Sequence, residues 1–260
     1  MKNSLSIPRA YAAGAAFRYL ETLLRRGQVT FSLAALMEAT GLTRIAARNQ
    51  LLRLGQRVTR VAPRQDFFLI VSPEHQVMGV PPATWWLDAY FQWLARPYYL
   101  ALQSAAVEYG SMLQAVQVVQ VITDKPRRPL VLGRIRVEFH VKRTVAHTPI
   151  QPLANAYAPL RVSTPAATVL DLLRYAPSIG GLERAAETAV PLLPKMRRTD
   201  LIEALQTEPE RATVIRAVAL FRDNGYPALA DLAMVKCSSE PRNKATVPAN
   251  RTCESNREIP

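Results

Sequence analysis

The stretch ATGLTRIAARNQLLRL, residues 39–54, places arginine and asparagine side chains at the start of a short helix. Thr43 can cap this helix, because its hydroxyl can accept a hydrogen bond from a free backbone N–H of the first turn. Arg44, Arg48 and Asn49 then lie in the first half of the helix. An arginine can donate two hydrogen bonds to guanine O6 and N7, and an asparagine can pair similarly with adenine N6 and N7. These residue types could read base edges in the major groove of DNA.

One side of the same helix is predicted to be buried. Ala47, Leu51 and Leu54 recur at i, i+4 and i+7, so they share a narrow apolar stripe. At about 100° per residue, Arg48 and Asn49 point away from that stripe. The basic and amide groups are therefore predicted to face outward, with the capping threonine placed to meet a phosphate. A solvated basic face on an ordinary helix is the alternative.

The elements around this helix predict its setting. Apolar residues recur at helical spacing in residues 10–26, and a short second helix is capped by Ser32 and ended by Gly41. After the basic helix, the pattern changes to a two-stranded hairpin over residues 57–71, with a turn at 63–66. Three short helices followed by a hairpin predict a winged helix-turn-helix, whose recognition helix enters the major groove.

The charge of the chain favours an acidic partner. The net charge is +13, and residues 1–80 hold eleven Lys or Arg against four Asp or Glu, so that segment alone carries +7. A concentration of positive charge in one domain is typical of nucleic-acid binding. Arginines on or beside the hairpin could follow the phosphates or enter a minor groove. The predicted DNA-binding residues are Thr43, Arg44, Ile45, Arg48, Asn49, Arg53, Arg57, Arg60 and Arg64.

The composition changes after residues 72–82, a polar run that contains three prolines and predicts a domain boundary. We assign residues 1–80 to the winged helix-turn-helix and residues 81–235 to a C-terminal domain. Residues 236–260 lack apolar periodicity and are predicted to be a disordered tail. The predicted fold class is α+β, a winged helix-turn-helix followed by a mixed α/β C-terminal domain.

Hydrophobic periodicity predicts the elements of the C-terminal domain. Thr164 and Pro165 form a cap and a first helical position, which predicts the start of one helix. Helices are predicted at 83–95, 98–110, 166–175, 181–193, 200–205 and 211–225. Strands are predicted at 116–123 and on both sides of Gly133 within 130–143.

Basic residues recur in this second domain and predict a possible second nucleic-acid surface. On alternating positions of a strand, Arg134, Arg136 and Glu138 share one face of the sheet. A solvated polar face of the sheet is an equally open interpretation. The residues of this predicted surface are Lys125, Arg127, Arg128, Arg134, Arg136, Lys142 and Arg143.

The sequence shows no established pattern of catalytic or metal-binding residues. His75, His140 and His147 are scattered, and none stands in an HExxH arrangement. The two cysteines, Cys237 and Cys253, have no CxxC spacing, which argues against a zinc site. We therefore predict a protein that is not an enzyme, with no catalytic residue, no metal and no cofactor.

No run of the sequence is apolar enough over about 18 residues to cross a membrane. The N-terminal segment has a basic start but lacks the leucine-rich core of a secretory signal. The predicted location is the cytoplasm, without a membrane partner.

The order of several motifs resembles a known family. The segments DFFLIVSPEH, PYYLALQSAAVEYG, VQVVQVIT followed by PRRPLVLGRIRVEFHVKR, and VSTPAATVLDLLRY stand in the order found in the AbiEi family of type IV antitoxins. The resemblance extends over about residues 10–230 and follows the winged-helix pattern, with the helix-turn-helix at 39–54 and the wing at 57–71. Ile45 and Leu52 lie on the outward side of the helix, so the operator sequence does not follow from the relatives.

The resemblance implies a bacterial antitoxin of an abortive-infection, or phage-defence, toxin–antitoxin pair. It implies that the winged helix binds inverted repeats in double-stranded DNA of its own promoter and represses the operon. It also implies that the C-terminal domain counteracts an AbiEii-like nucleotidyltransferase toxin without forming a stable complex. Cooperative binding in the family implies self-association on DNA.

Two other functions remain open from the sequence. One is an enzyme acting on nucleic acid, which would need a carboxylate cluster at Mg²⁺ with Glu108, Glu138 and Asp171 as candidates. The other is a regulator that senses a small ligand in an aromatic pocket. At helical spacing, however, such rings more often predict core packing. The aromatic residues concerned are Trp85, Trp86, Tyr90 and Trp93.

Overall fold

The structure is a computed structural model that describes residues 14–111, 118–153 and 160–239. Its two sheets, one of three strands and one of six, are combined with helices in an α+β arrangement, which confirms that part of the predicted fold class. No helix in these ranges is long and apolar enough to cross a membrane.

From residue 14 onward, the N-terminal part combines three α-helices with a small antiparallel sheet. The strand order is β1–β3–β2, so β3 lies in the centre and pairs with both neighbours. The apolar sides of the helices and the aromatic residues of the sheet form one buried cluster. The elements are α1 (Ala15–Arg25), β1 (Thr30–Ser32), α2 (Leu33–Thr40), α3 (Arg44–Arg53), β2 (Val58–Arg60) and β3 (Phe67–Ile70).

The predicted caps of α2 and α3 are confirmed. The hydroxyl of Ser32 accepts from the backbone N–H of Ala35 at 3.1 Å, and that of Thr43 accepts from Ala46 at 3.3 Å. Between these two helices, Gly41 adopts a left-handed conformation with φ of 66°, which L side chains rarely adopt. The chain can therefore turn sharply, and only three residues separate α2 from α3.

Strand β1 was not predicted, because three residues are too few to show an alternating pattern. It is held by pairing with β3, where Thr30 lies opposite Leu69 and Phe31 opposite Phe68. The rings of Phe31 and Phe68 stack with centroids 5.4 Å apart. This contact across the sheet, rather than local propensity, makes the segment a strand.

The C-terminal part contains a mixed six-stranded sheet in the order β6–β7–β5–β4–β9–β8. The pairs β5/β7 and β4/β9 are parallel, and the other neighbours are antiparallel. The predicted hairpin around Gly133 is confirmed. The strands are β4 (Tyr98–Leu100), β5 (Val118–Thr123), β6 (Leu130–Leu132), β7 (Ile135–Val141), β8 (Ile150–Leu153) and β9 (Leu160–Ser163).

Helices cover this sheet and bury a large apolar core. At its centre, α6 contacts α5, α7, α8 and α9. The predicted start of α6 is confirmed, because Thr164 accepts a hydrogen bond from Ala167 and Pro165 is the first helical residue. The helices are α4 (Leu87–Trp93), α5 (Leu102–Glu108), α6 (Pro165–Arg174), α7 (Leu182–Ala189), α8 (Arg198–Thr207), α9 (Arg211–Asp223) and α10 (Pro227–Ser239).

Two predicted elements differ from the structure. The helix predicted over 98–110 is divided, because residues 98–100 pair with β5 and β9 as strand β4. The predicted tail from residue 236 begins inside α10, which continues to residue 239. Residues 240–260 lie outside the described ranges, as do residues 10–13 of the first predicted helix.

Candidate nucleic-acid interface

Helix α3 presents the face that the sequence predicts. Ala47 and Leu51 are buried against the N-terminal core, and Leu54 is half-buried directly after the helix. On the opposite side, Arg48 and Asn49 are exposed. Because α1 and α2 pack against the apolar side of α3, its polar side is left open to solvent.

Two large apolar side chains share the exposed surface of α3. Ile45 is 75% exposed and Leu52 is 82% exposed. In the major groove of DNA, an exposed apolar side chain can contact the methyl group of thymine. Their positions agree with the outward orientation predicted from the sequence.

Asp66, in the loop before β3, pairs with two of the predicted DNA-binding arginines. Its Oδ2 pairs with Arg44 Nη2, and its Oδ1 accepts from Arg48 Nη2 at 3.1 Å. Arg60 Nη2 lies 3.9 Å from the same carboxylate. We call these four residues the Asp66 cluster. The contacts of Asp66 with these arginines were not predicted from the sequence, because they span 18 to 22 residues and leave no local pattern.

Three further predicted DNA-binding arginines lie outside this cluster. Arg57 lies over the ring of Phe17, with its guanidinium carbon 5.3 Å from the centroid. Arg53 ends α3 in an exposed position. Arg64 is also exposed, in the loop between β2 and β3, with φ of 68°. The basic residues of α3 and of the hairpin thus lie on adjoining exposed segments.

An open groove of about 480 Å³ separates α3 from the hairpin. Arg48, Asn49 and Leu52 line it from the helix, and Arg60 and Phe68 line it from the strands. The guanidinium of Arg60 lies 5.1 Å from the centre of the Phe68 ring, which holds the cation at the edge of the groove. The groove combines hydrogen-bond donors with apolar surface.

Five of the seven residues of the predicted second surface are exposed. Arg136 is partly neutralised, because its Nε donates to Glu138 Oε1 at 2.9 Å. Arg127 is half-buried, and its Nη2 donates to the hydroxyl of Tyr90 at 2.7 Å. It also lies over three aromatic rings and joins the loop before β6 to α4. The exposed members are Lys125, Arg128, Arg134, Arg136 and Arg143.

The assignment of Lys142 to this surface was wrong. Its side chain is only 1% exposed, and its Nζ donates to Asp171 Oδ1 at 2.8 Å. Glu208 Oε2 lies 3.8 Å from the same nitrogen, and Arg174 Nη1 donates to Glu208 Oε1 at 2.8 Å. Lys142 directly follows β7, and its core position comes from helices that are distant in sequence. We call these four residues the Lys142 cluster.

Burial shapes the titration of groups around the Lys142 cluster. The hydroxyl of Tyr99 donates to Asp171 Oδ2 at 2.9 Å, and burial raises the pKa of Tyr99 well above its ordinary value. Burial also raises the pKa of Glu208, against the opposing effects of Lys142 and Arg174. These shifts indicate a dry, structural environment at the junction of β7, α6 and the loop after α8.

The carboxylates considered for a magnesium site do not form one. Among the described residues, no group of three His, Cys, Asp or Glu is arranged to hold a metal ion. Both oxygens of Asp171 are already paired with Lys142 and Tyr99. Glu108 is the last residue of α5, and partial burial of its carboxyl raises its pKa.

Of the four aromatic residues considered for a ligand pocket, Trp86 and Tyr90 pack as core, whereas Trp85 is half-buried and Trp93 is 40% exposed. Trp86 and Tyr90 are fully buried, and Trp86 Nε1 donates to the backbone oxygen of Pro81. Phe67 of β3 contacts both Tyr90 and Trp93, with ring centroids about 5.5 Å apart. These rings join the N-terminal sheet to α4, as the core interpretation of the sequence predicted.

A family model described as the AbiEi antitoxin C-terminal domain matches residues 99–222, from β4 to nearly the end of α9. The match identifies residues 99–222 as a domain of the AbiEi antitoxin family. The family predicted from the sequence is thereby confirmed. The AbiEi match contains the six-stranded sheet and the Lys142 cluster, and it begins after α3 and the Asp66 cluster.

A solved structure shares the overall fold. The RV2827C protein from Mycobacterium tuberculosis is 18% identical, with a TM-score of 0.61 over 87% of this chain and 83% of that chain. The antibiotic-resistance factor ANT(2'')-Ia is 13% identical, with a TM-score of 0.31 over 56% of this chain and 91% of that chain. No curated protein matches this AbiEi-family chain at a significant level.

Proposed function

We propose that this AbiEi-family chain is a DNA-binding antitoxin that represses its own toxin–antitoxin operon. In this proposal, residues 14–71 are a winged helix-turn-helix, α3 is the recognition helix, and the β2–β3 hairpin is the wing. The single observation that carries the proposal is the exposed basic and amide face of α3 beside an arginine-bearing hairpin.

The order of elements supports the winged-helix assignment. The chain runs α1–β1–α2–α3–β2–β3, and the glycine turn at Gly41 sets α3 against α2. A recognition helix needs one side packed on the domain and the other open to the groove. Helix α3 meets both requirements, since Ala47 is fully buried and Arg48 is exposed.

Each group on α3 has a specific role in this proposal. Arg44, Arg48 and Asn49 donate to base edges, and Ile45 contacts a thymine methyl group. Thr43 lies at the N-terminus of the helix, where free backbone N–H groups attract a phosphate. The exposed arginines at the end of the helix and after it, Arg53, Arg57, Arg60 and Arg64, contact the DNA backbone.

The C-terminal domain carries the antitoxin activity in this proposal. It counteracts a nucleotidyltransferase-like toxin encoded in the same operon, as a functional partner and without a stable complex. The family membership of residues 99–222 supports this assignment. The exposed basic residues of the second predicted surface, Lys125, Arg128, Arg134, Arg136 and Arg143, add contacts to DNA when chains bind next to one another.

Binding of the full chain to its own promoter tests the DNA-binding part. The affinity for a duplex carrying the promoter is compared with that for a random duplex of equal length, over a series of KCl concentrations. We expect a clear preference for the promoter and a steep salt dependence, with each neutralised phosphate contributing about −0.9 to the log–log slope. Equal affinity for both duplexes contradicts the proposal.

Co-expression with the neighbouring toxin tests the antitoxin part. We expect the full chain to restore growth, and we expect the double variant Arg44→Ala/Arg48→Ala to restore growth as well while failing to repress a promoter reporter. This separation follows because the two arginines lie outside the matched antitoxin domain. Growth arrest that the wild-type chain does not relieve contradicts the antitoxin part alone.

A further inference from the structure

We infer that Asp66 is a specificity-determining residue that positions Arg44 and Arg48 for base contacts and keeps them from phosphates. This inference rests on the proposed function, because it concerns the same DNA-binding face. The observation is that one carboxylate pairs with both arginines from the first two turns of α3.

Asp66 is well placed to act as a fixed point. Its backbone oxygen accepts a hydrogen bond from Leu33 at 2.8 Å, which ties the loop to the first residue of α2. The next residue, Phe67, is buried between the two parts of the chain. The carboxylate is 22% exposed, whereas the side chains of Arg44 and Arg48 are 58% and 47% exposed. The anion is therefore anchored, and the longer cations are ordered against it.

The contacts with Asp66 leave donors for a base. Arg44 and Arg48 each use only Nη2 to reach the carboxylate. The Nη1 and Nε groups of both guanidiniums can still donate to guanine O6 and N7. An arginine held in this way loses less side-chain freedom when it binds a base. Its contact is therefore stronger with a DNA sequence that places a guanine where the guanidinium already points.

The same carboxylate opposes non-specific binding. On random DNA, the attractive force on an arginine comes from the phosphates, and these lie away from the base edges. To reach a phosphate, Arg44 and Arg48 must leave an anionic partner that holds them in place. The carboxylate itself also repels nearby phosphate charge. Asp66 therefore lowers the affinity for random DNA more than the affinity for the operator.

The variant Asp66→Asn tests this inference in the full chain. Binding to the promoter duplex and to a random duplex is measured by fluorescence anisotropy over a series of KCl concentrations. We expect the affinity for random DNA to rise by about three- to tenfold, with a log–log salt slope steeper by about 1 to 2 as the released arginines reach phosphates. The ratio of promoter to random affinity should fall by about tenfold.

The variant Glu74→Gln is the matched control. Glu74 is an exposed acidic residue of the N-terminal part, outside the Asp66 cluster, so its change removes the same charge. We expect only a small rise in affinity for both duplexes, with an unchanged ratio. A fall in the ratio equal to that of Asp66→Asn would overturn the positioning role, because net charge would then explain the result.

A structural role for Asp66 predicts the opposite sign. A damaged domain binds random DNA more weakly, whereas we expect tighter binding at an unchanged unfolding midpoint. Asp66→Glu, which keeps the charge, should restore at least part of the wild-type ratio, and Asp66→Ala provides a second neutral variant if the asparagine variant is unstable.

The inference and the proposed function fail in different ways. A wild-type chain with no preference for its promoter overturns the proposed function. A wild-type preference that remains unchanged in Asp66→Asn and Asp66→Ala overturns the inference and leaves the proposed function in place.

Discussion

The Asp66 cluster and the Lys142 cluster use the same residue types under opposite conditions. The first joins three arginines to one carboxylate at the surface of the N-terminal part. The second joins Lys142 and Arg174 to two carboxylates in the interior of the C-terminal part. One cluster has an excess of positive charge in contact with water, and the other is balanced and almost dry.

The difference shows which arginines and lysines are available to a partner. An exposed ion pair contributes little to stability, because water solvates both ions nearly as well. Its members can therefore be replaced without loss of the fold. A buried ion that loses its partner cannot recover its solvation, so removal of one member strongly destabilises the fold. Charge alone therefore did not separate exposed basic residues from buried ones in this sequence.

The largest effect is predicted for the replacement of Lys142 by methionine, which should lower the free energy of unfolding. The change leaves Asp171 and Glu208 buried without their central cation, which we expect to destabilise the fold by about 3 to 5 kcal/mol. Urea unfolding of the full chain measures this change. The neighbouring exposed residue provides the control, since Arg143→Met should change the stability by less than about 0.5 kcal/mol. Equal losses of unfolding free energy in Lys142→Met and Arg143→Met would contradict the structural role that we assign to the Lys142 cluster.

The next largest effect is predicted for the replacement of Arg48 by alanine, which should weaken the preference for promoter DNA. We expect the discrimination between promoter and random DNA to fall by about 1 to 3 kcal/mol, the contribution of one good base contact. The unfolding free energy should stay within about 0.5 kcal/mol of the wild type, because the pair with Asp66 is exposed. Arg25→Ala, in an exposed position on α1, is the matched control and should leave the discrimination unchanged. A loss of stability without a loss of discrimination would place Arg48 with the structural residues.

Local signals predicted α3 and its surroundings well. The caps at Ser32 and Thr43, the turn at Gly41 and the open position of Arg48 depend on neighbouring residues, so their spacing carries the information. The start of α6 at Pro165 was predicted for the same reason.

Contacts between distant segments were not predicted. Lys142 follows a strand at an alternating position, which suggests exposure, but α6 and the loop after α8 cover it. Asp66 was counted only as one acidic residue of the turn. The strand at 98–100 was hidden because its apolar residues also fit a helix, and its partners β5 and β9 lie elsewhere in the chain.

A smaller effect compares the two threonine caps. Thr43 and Thr164 each accept a hydrogen bond from the first turn of a helix, and their replacement by alanine should cost about 1 kcal/mol each. Thr43 is exposed and Thr164 is buried, so only Thr43→Ala should also weaken promoter binding. Urea unfolding and anisotropy measure the two quantities, with serine variants as controls that keep the hydroxyl. Weaker promoter binding in Thr164→Ala at full folding would contradict the division of roles.

The smallest effect concerns pH and the surroundings of the Lys142 cluster. Burial lowers the pKa of His140, although Glu138 and Asp171 oppose this shift. Below the ordinary pKa of about 6.5, the unfolded chain binds a proton at this residue that the folded chain does not bind. The contribution of His140 to stability is therefore present above that pH and is lost as the pH falls toward its lower folded pKa.

The variant His140→Phe keeps a ring against Tyr175 and removes this titration. We expect the wild type to lose more unfolding free energy than the variant between pH 7.5 and 5.5, as measured by urea unfolding at both values. Glu208 acts in the opposite direction, because a carboxyl with a raised pKa stabilises the folded state at low pH and loses that contribution as the pH rises. The difference between the wild type and the variant isolates His140 from this opposing contribution.

The variant His147→Gln, which alters an exposed histidine, is the control. It should show the same change in unfolding free energy between pH 7.5 and 5.5 as the wild type. Equal pH dependence in the wild type and His140→Phe would mean that the surroundings of the Lys142 cluster are open to water, and the contrast with the Asp66 cluster would then be one of charge balance alone.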